Sequence, residues 1–388
     1  MLQLISNANV FAPAPMGICH ILVAGGQIVY IGTAAPVLDT PLEVETTDLG
    51  GASVIPGIID AHAHITGGGG ESGPDSRVPP VHLSAFTKAG VTSVVGVLGT
   101  DDLTRNTQTL VTQAYGLRAL GLSAWCHTGG YHYPLTTLTG SARGDIVFID
   151  PVIGVGELAL SDHRSSQPTL DEFLRVASEA HVAGLMTGKA GIVHCHLGDG
   201  ARGLGMLRDA LDQSEIPARV FNPTHVNRNK PLFEDALALT QRGCSIDLTA
   251  FPKDDIGAGY SAADAFLRYH AGDHPSERLT MSSDGGGCLP TFDAEGKLAQ
   301  MGIGSPSTLI DTVKTLAETG ISLAEILPSL TSNVADLLKL YSKGRLACGK
   351  DADLVVLNDR NEIQHVMCMG RWHVRGGDAV IVGPYETA

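Results

Sequence analysis

Residues 57–70 read GIIDAHAHITGGGG, a short apolar run that ends in two histidines and then breaks into four consecutive glycines. An apolar run of this length bounded by turn residues fits a strand buried on both faces, as in a parallel sheet covered by helices. Strand side chains alternate, so His62 and His64, two apart, project from one face. Taken alone, the pair suits two core histidines satisfied by hydrogen bonds as well as it suits a metal site. Four glycines are too few for a linker, and residues 67–70 read as an active-site loop.

Working outward, seven further β-rich runs follow at Val91–Leu98, Ser123–Cys126, Val152–Leu158, Gly191–His196, Ala218–His225, Cys244–Thr249 and Leu279–Asp284. Helical patterns separate them, such as TLDEFLRVASEAHVAGLM at 169–186, whose Asp171 and Glu172 occupy a first turn where the helix dipole favours acids. Eight strand–helix units predict an α/β fold, a closed (β/α)8 TIM barrel. The flanks differ: LQLISNANVFAP (2–13) and ICHILVAGGQIVYIGT (18–33) at the front, with ADLVVLND (352–359) and HVMCMGRWHVRGGDAVIV (365–382) at the back, are β-rich with glycine-containing turns. They predict a small β-sandwich domain built from both termini, with residues 1–56 and 343–388 contributing to it and 57–342 forming the barrel. A chain of 388 residues, 43% hydrophobic, suits one large core with a small companion.

Composition narrows the functional classes. The net charge of −15 disfavours nucleic acid and anionic membrane surfaces, so an anionic substrate would have to be held by a few local arginines. No stretch is long and apolar enough for a membrane helix, and the start, MLQLISNANVFAPAPMG, lacks the pattern of a signal peptide. Seven scattered cysteines without CxxC spacing argue against a disulfide framework and a thiolate zinc site. A cytoplasmic protein with reduced thiols is the expectation.

The histidine pair gains meaning from its company. Glu157 in VIGVGELALSDHR (152–164), His196 in IVHCHLGD (192–199), His225 in FNPTHVNRN (221–229) and Asp284 in TMSSDGGG (280–287) each fall at the end of a different predicted strand. In barrels of this class the C-terminal strand ends carry the chemistry. Six nitrogen and oxygen donors converging there match two Zn²⁺ ions bridged by a shared carboxylate and a hydroxide, since each ion takes about four or five ligands. His194 shares a face with His196 but lies deeper and reads as a core residue.

HAH at 62–64, the later histidines, SSD at 282–284 and GRLACGKDADLVVL at 344–357 resemble the amidohydrolase superfamily. HITGGGGESGP (64–74), VTSVVGVLGTD (91–101), TGGYHYP (128–134), LSDHRS (160–165), PTHVNRNKPLFE (223–234) and the closing ETA (386–388) resemble its isoaspartyl dipeptidase family, over essentially the whole chain. The resemblance implies cytoplasmic hydrolysis of β-aspartyl dipeptides to aspartate and an amino acid by a binuclear metal centre with a bridging hydroxide. It makes His62 and His64 ligands of one ion, His196 and His225 ligands of the other, and Asp284 both a ligand and a proton shuttle. Glu71 would hold the substrate α-amino group, Arg164 and Arg228 its carboxylates, and Thr100 and the glycine loop at Gly69 the aspartyl group. Tyr131 would donate to the developing oxyanion. Bidentate arginine suits carboxylates, and a donor aimed at the tetrahedral oxygen helps most in the transition state. A loop salt bridge at either arginine and an amphipathic wall role for Tyr131 are the plainer alternatives. Assembly into a dimer-based homo-oligomer, up to an octamer, is implied in the same way.

Two positions depart from the pattern. The family usually bridges its metals with a carboxylated lysine at the end of strand four, but Glu157 stands there and no lysine occurs between Lys88 and Lys189. Glutamate keeps one negative charge and two oxygens, so Glu157 is expected to bridge two Zn²⁺ without bicarbonate. Cys288 replaces a serine expected near the substrate carboxylate, and a thiol is the weaker donor. Packing or a weak substrate contact is its expected role. Rival expectations are a dihydroorotase-, hydantoinase- or N-acyl-D-amino-acid deacylase-like hydrolase, which would lack the amine-binding Glu71, and a catalytically silent scaffold relative.

Overall fold

A computed structural model describes residues 2–252, 257–292 and 298–386. The last two residues of the ETA motif, Thr387 and Ala388, lie outside the described residues. Eight parallel strands form the barrel: β1 (Ile58–Ala63), β2 (Val91–Gly96), β3 (Ser123–Thr128), β4 (Val152–Leu160), β5 (Val193–Leu197), β6 (Phe221–Thr224), β7 (Ile246–Thr249) and β8 (Leu279–Ser282). Each is followed by a helix: α1 (Leu83–Thr87), α2 (Thr107–Ala119), α3 (Ala142–Phe148), α4 (Leu170–Thr187), α5 (Gly205–Gln213), α6 (Lys230–Gln241), α7 (Ala262–Ala271) and α8 (Ser307–Glu318). Every residue of β4 is buried, which explains why VIGVGELAL reads as a continuous apolar run broken only by small residues and one acid. Helix α4 starts where its sequence says it should. Thr169 and Glu172 cap each other reciprocally, and Gly188 ends the helix in the left-handed conformation.

Strands β1 to β6 form one hydrogen-bonded ladder and β7 pairs with β8. Between β6 and β7 side chains take over: Asn222 Nδ2 donates to the Ser245 carbonyl, the Thr224 hydroxyl to Asp247, and Asn227 Nδ2 to the Thr249 carbonyl. The ring closes from β8 back to β1 through the Asp284 amide on the His62 carbonyl and the His64 amide on the Gly285 carbonyl. Asp60, buried in β1, fastens this closure by accepting from the Ser283 amide and hydroxyl.

The termini form a single nine-stranded mixed sheet, in which Leu2–Phe11 lies centrally and Ser53–Pro56 joins the N-terminal strands to the C-terminal strand Leu354–Leu357. The sheet folds over until the Ala352 amide reaches the Gly26 carbonyl and the Ile28 amide the Lys350 carbonyl, enclosing its own apolar cluster around Ile21, Val54 and Met367. Leu354 and Val356 point into that cluster, whereas Val355 and Leu357 belong to the barrel core. One short strand thus serves two interiors by simple alternation. The buried Lys343 ammonium adds a polar pin, contacting Asp353 at 2.6 Å, Asp351 at 2.9 Å and the Ser123 hydroxyl of β3 at 2.7 Å. Among the described residues, no helix is long and apolar enough to cross a membrane. The hairpin Cys288–Phe292 with Leu298–Ile303, between β8 and α8, had no counterpart in the sequence expectations.

Candidate metal centre and substrate pocket

The six expected metal donors meet at the C-terminal mouth of the barrel. Glu157, near the end of β4, is the hub: its Oε2 lies 3.6 Å from His62 Nε2, 3.1 Å from His196 Nδ1 and 3.3 Å from His225 Nε2, and its Oε1 lies 3.3 Å from His64 Nε2. Asp284 Oδ1 lies 3.5 Å from His62 Nε2 and 3.2 Å from His64 Nε2. Two overlapping donor groups result, His62–His64–Asp284 and His62–Glu157–His225, each with ligand atoms within 4.8 Å of one another. His225 and Asp284 follow the ends of β6 and β8 with φ of 60° and 53°. Left-handed backbone costs a non-glycine residue roughly 1–2 kcal/mol, and here it turns each side chain inward just past its strand.

The donor set fits bound cations. Among the described residues, the buried His62 Nε2 and Asp284 Oδ1 have no hydrogen-bond partner. At His196, Asp162 Oδ2 lies 3.0 Å from Nε2 and Glu157 Oε2 lies 3.1 Å from Nδ1, so a ring that donates to Asp162 offers its other nitrogen to a cation beside Glu157. The local field points the same way. Burial opposes charge on His64, yet Asp284 and Glu157 outweigh it and push its pKa up to about 10. Burial likewise opposes ionisation of Glu157, but His62 and the other three histidines hold its carboxyl well below the usual range. His225, which burial dominates, is pushed down to about 3 and presents a neutral ring.

Around this centre lies a cleft of about 380 Å³, and every expected site residue except the deeper His62 lines it. Glu71 accepts from the Thr100 hydroxyl at 3.0 Å and from Arg164 Nη1 at 3.2 Å. The Arg164 guanidinium sits 5.4 Å from the Tyr131 ring centroid, and the Tyr131 hydroxyl lies 2.8 Å from His196 Nδ1 and 3.2 Å from its Nε2. Arg228 binds the Leu197 carbonyl at 3.0 Å and reaches Asp199 at 3.2 and 3.1 Å. Cys288 Sγ lies 3.4 Å from Met301 Sδ on the cleft wall. The glycine run is required by close approach. A Cβ on Gly67 would come within 2.0 Å of the Val78 carbonyl oxygen, and one on Gly69 within 2.5 Å of the Ser76 carbonyl oxygen.

Three supports escaped the sequence reading. Asp162 accepts from Arg164 Nε at 3.0 Å and Nη2 at 2.8 Å as well as from His196, tying a cation of the pocket to a metal donor. Its place two residues before Arg164 in LSDHRS was the available signal. Arg105, buried, donates to the carbonyls of Thr66, Gly69 and Val78 and to Asp101, clamping the glycine loop. Nothing in its local sequence marks it. His194, expected as a core residue, is buried but hydrogen-bonds His62 Nδ1 at 2.8 Å and Asn222 at 2.7 Å.

The amidohydrolase family profile matches residues 53–373. The chain is 41% identical to the β-aspartyl dipeptidase of the thermophilic, keratin-degrading Fervidobacterium islandicum AW-1, solved in complex with β-Asp-Leu dipeptide. The match covers 98% of this chain and 97% of that one, with a TM-score of 0.93. Dihydropyrimidinase from Brevibacillus agri NCHU1002 shares 15% identity over 98% of this chain and 96% of its own, with a TM-score of 0.67. N-acetylglucosamine-6-phosphate deacetylase from Pasteurella multocida shares 16% over 97% and 100%, with a TM-score of 0.64. These last two share the barrel and its β appendage at identities that speak for fold alone. With a profile spanning most of the chain and buried histidines and carboxylates gathered where its barrel opens, this protein belongs to the amidohydrolase family.

Proposed function

We propose that this protein hydrolyses β-aspartyl dipeptides, releasing aspartate and the second amino acid, with two zinc ions held by His62, His64, Glu157, His196, His225 and Asp284. The observation that carries this reading is the joining, in one cleft, of that donor set to Glu71, Arg164 and Arg228, in a chain 41% identical to a β-aspartyl dipeptidase that binds β-Asp-Leu. Glu157 would be shared by the two ions, with its Oε1 on the side of His64 and its Oε2 on the side of His196 and His225, the role a carboxylated lysine would otherwise fill. Nitrogen and oxygen donors without thiolate favour zinc over softer ions. When bound, such ions supply Lewis acidity and make water acidic enough to act as a nucleophile near neutral pH.

The side chains divide the remaining work. Glu71 takes the substrate ammonium, Arg164 and Arg228 take carboxylates, and Thr100 with Gly69 orients the aspartyl group. Asp284 accepts the proton of the attacking water and returns it to the amine that leaves the β-carboxamide carbon. Tyr131, whose hydroxyl stays protonated because burial and the Glu157 carboxylate raise its pKa well above the ordinary value, donates to the carbonyl oxygen as negative charge builds there. Cys288 is a minor contact on the wall. Residues 57–342 act as the catalytic barrel unit, with 1–56 and 343–388 as its β appendage. Seven free thiols support a cytoplasmic setting, and a dimer-based homo-oligomer up to an octamer is part of the same proposal.

Turnover of β-Asp-Leu, a cyclic imide and an N-acyl amino acid, with zinc measured on the same preparation, tests this. Hydrolysis of β-Asp-Leu alone with about two equivalents of metal is expected. A loaded enzyme that ignores β-Asp-Leu overturns the substrate assignment. Less than about one equivalent of metal after careful purification points instead to a scaffold.

A further inference from the structure

Behind the metal donors runs a buried chain of hydrogen bonds whose direction is fixed at its far end. Asn222 Nδ2 lies 2.9 Å from the Ser245 carbonyl, across the β6–β7 seam. A carbonyl oxygen can only accept, so the Asn222 amide group must face it, and Asn222 Oδ1 is left facing His194 Nδ1 at 2.7 Å. That oxygen too can only accept, which places the His194 ring proton on Nδ1. His194 is buried with Asn222 on Nδ1 and His62 on Nε2, and a His62 that offers Nε2 to a cation keeps its own proton on Nδ1. His194 Nε2 is therefore a lone pair, and His62 Nδ1, 2.8 Å away, must donate to it. His62 then turns a bare Nε2 towards Glu157 and Asp284.

We propose that Asn222 and His194 are positioning residues that hold His62 in the one tautomer able to bind a divalent cation through Nε2. The inference deepens the metal-centre proposal and rests on it. The two tautomers of an isolated imidazole differ little in energy, so the hydrogen bond to the distal nitrogen decides which one a ligand histidine adopts. If the acceptor at Asn222 is lost, His194 is free to move its proton to Nε2, where it donates to His62. The His62 proton then shifts to Nε2, the nitrogen a cation needs. The HCH sequence at 194–196 thus does two jobs at once: His196 is itself a donor in the cleft, and His194 sets the state of a donor on another strand.

Two substitutions separate this role from a structural one. Asn222→Leu and Asn222→Asp both lose the donor to Ser245, but only the leucine loses the acceptor facing His194. Zinc affinity is measured by chelator competition on the metal-free proteins, with thermal unfolding of the same samples. The relay predicts that Asn222→Leu weakens zinc binding roughly 10- to 100-fold, the usual effect of losing such a partner, while Asn222→Asp stays within about threefold of wild type. Equal affinities in the two variants overturn it, because a purely structural seam would suffer alike in both. Should Asn222→Leu fail to fold, nitrogen NMR of histidine-labelled, zinc-loaded wild type decides instead. A proton on His194 Nδ1 is expected, and one on Nε2 overturns the proposal. Wild-type protein that binds no zinc refutes the metal centre itself, an outcome distinct from loss of the relay alone.

Discussion

Replacing Asp162 by asparagine probes the joint between the pocket and the metal donors. The carboxylate receives four donors: the Arg164 amide at 2.7 Å and Nε at 3.0 Å on Oδ1, and Arg164 Nη2 at 2.8 Å and His196 Nε2 at 3.0 Å on Oδ2. Burial opposes its charge, but His196 and Arg164 outweigh that and hold the carboxyl below its usual range, so it is ionised throughout any practical assay. Asparagine can keep the two bonds to Oδ1 through its carbonyl. Its amide then faces the Arg164 and His196 donors, and two charge-assisted bonds are lost. At about 1.5–3 kcal/mol each, the loss is at least about 3 kcal/mol, or roughly 100-fold in kcat/KM. The two halves of the loss have separate readouts: a loosened Arg164 raises KM for β-Asp-Leu, and an unanchored His196 lowers the zinc content. Steady-state kinetics on β-Asp-Leu, with zinc per chain from the same sample, resolve them. A variant within about threefold of wild type in kcat/KM and fully loaded with zinc would refute the shared brace.

Reconstitution of the metal-free protein is expected to proceed without added bicarbonate, because Glu157 needs no carbamate; recovery of zinc binding that tracks bicarbonate counts against the bridge. Asp284→Asn should keep most of the metal and lose most turnover, and near-normal turnover excludes the shuttle. Lys343→Met strands Asp351 and Asp353 in a buried site and should cost about 3–5 kcal/mol, lowering the melting temperature by about 5 °C at the usual per-residue unfolding entropy; an unchanged melting temperature would remove the pin from the account. Burial, with Glu71 beside it, pushes the Cys288 thiol up to about 12, so at pH 8 about one molecule in ten thousand carries the thiolate. Iodoacetamide should therefore label the exposed Cys348 first and reach Cys288 only as the pH climbs, which peptide mapping after a timed pulse would show.

Short-range patterns carried most of the fold. The HxH pair was legible because strand alternation needs only a spacing of two, and the other donors because each ends an apolar run. Boundaries shifted where local geometry tightened: residues 218–220 form a 3-10 turn ahead of β6, and β8 stops at Ser282, leaving Asp284 beyond the strand on left-handed backbone. The supports were hidden for a different reason. Arg105 reaches Gly69 across 36 positions, His62 meets His194 across 132, and Lys343 meets Ser123 across 220. Each is fixed by which strands become neighbours, and a residue's immediate sequence holds no trace of that. Asp162 sits between, since its partner Arg164 is local but its partner His196 comes from the next strand.

The strand Leu354–Leu357 has a consequence for how the molecule comes apart. Because its odd residues plug the barrel wall and its even residues complete the terminal sheet, neither half is watertight without it. Clipping the C-terminal fifty residues would leave a slot beside Ile58 and Gly90 as surely as it would unravel the sheet. A scanning calorimeter should accordingly record one endotherm for the whole chain, and attempts to excise a minimal barrel should yield insoluble protein.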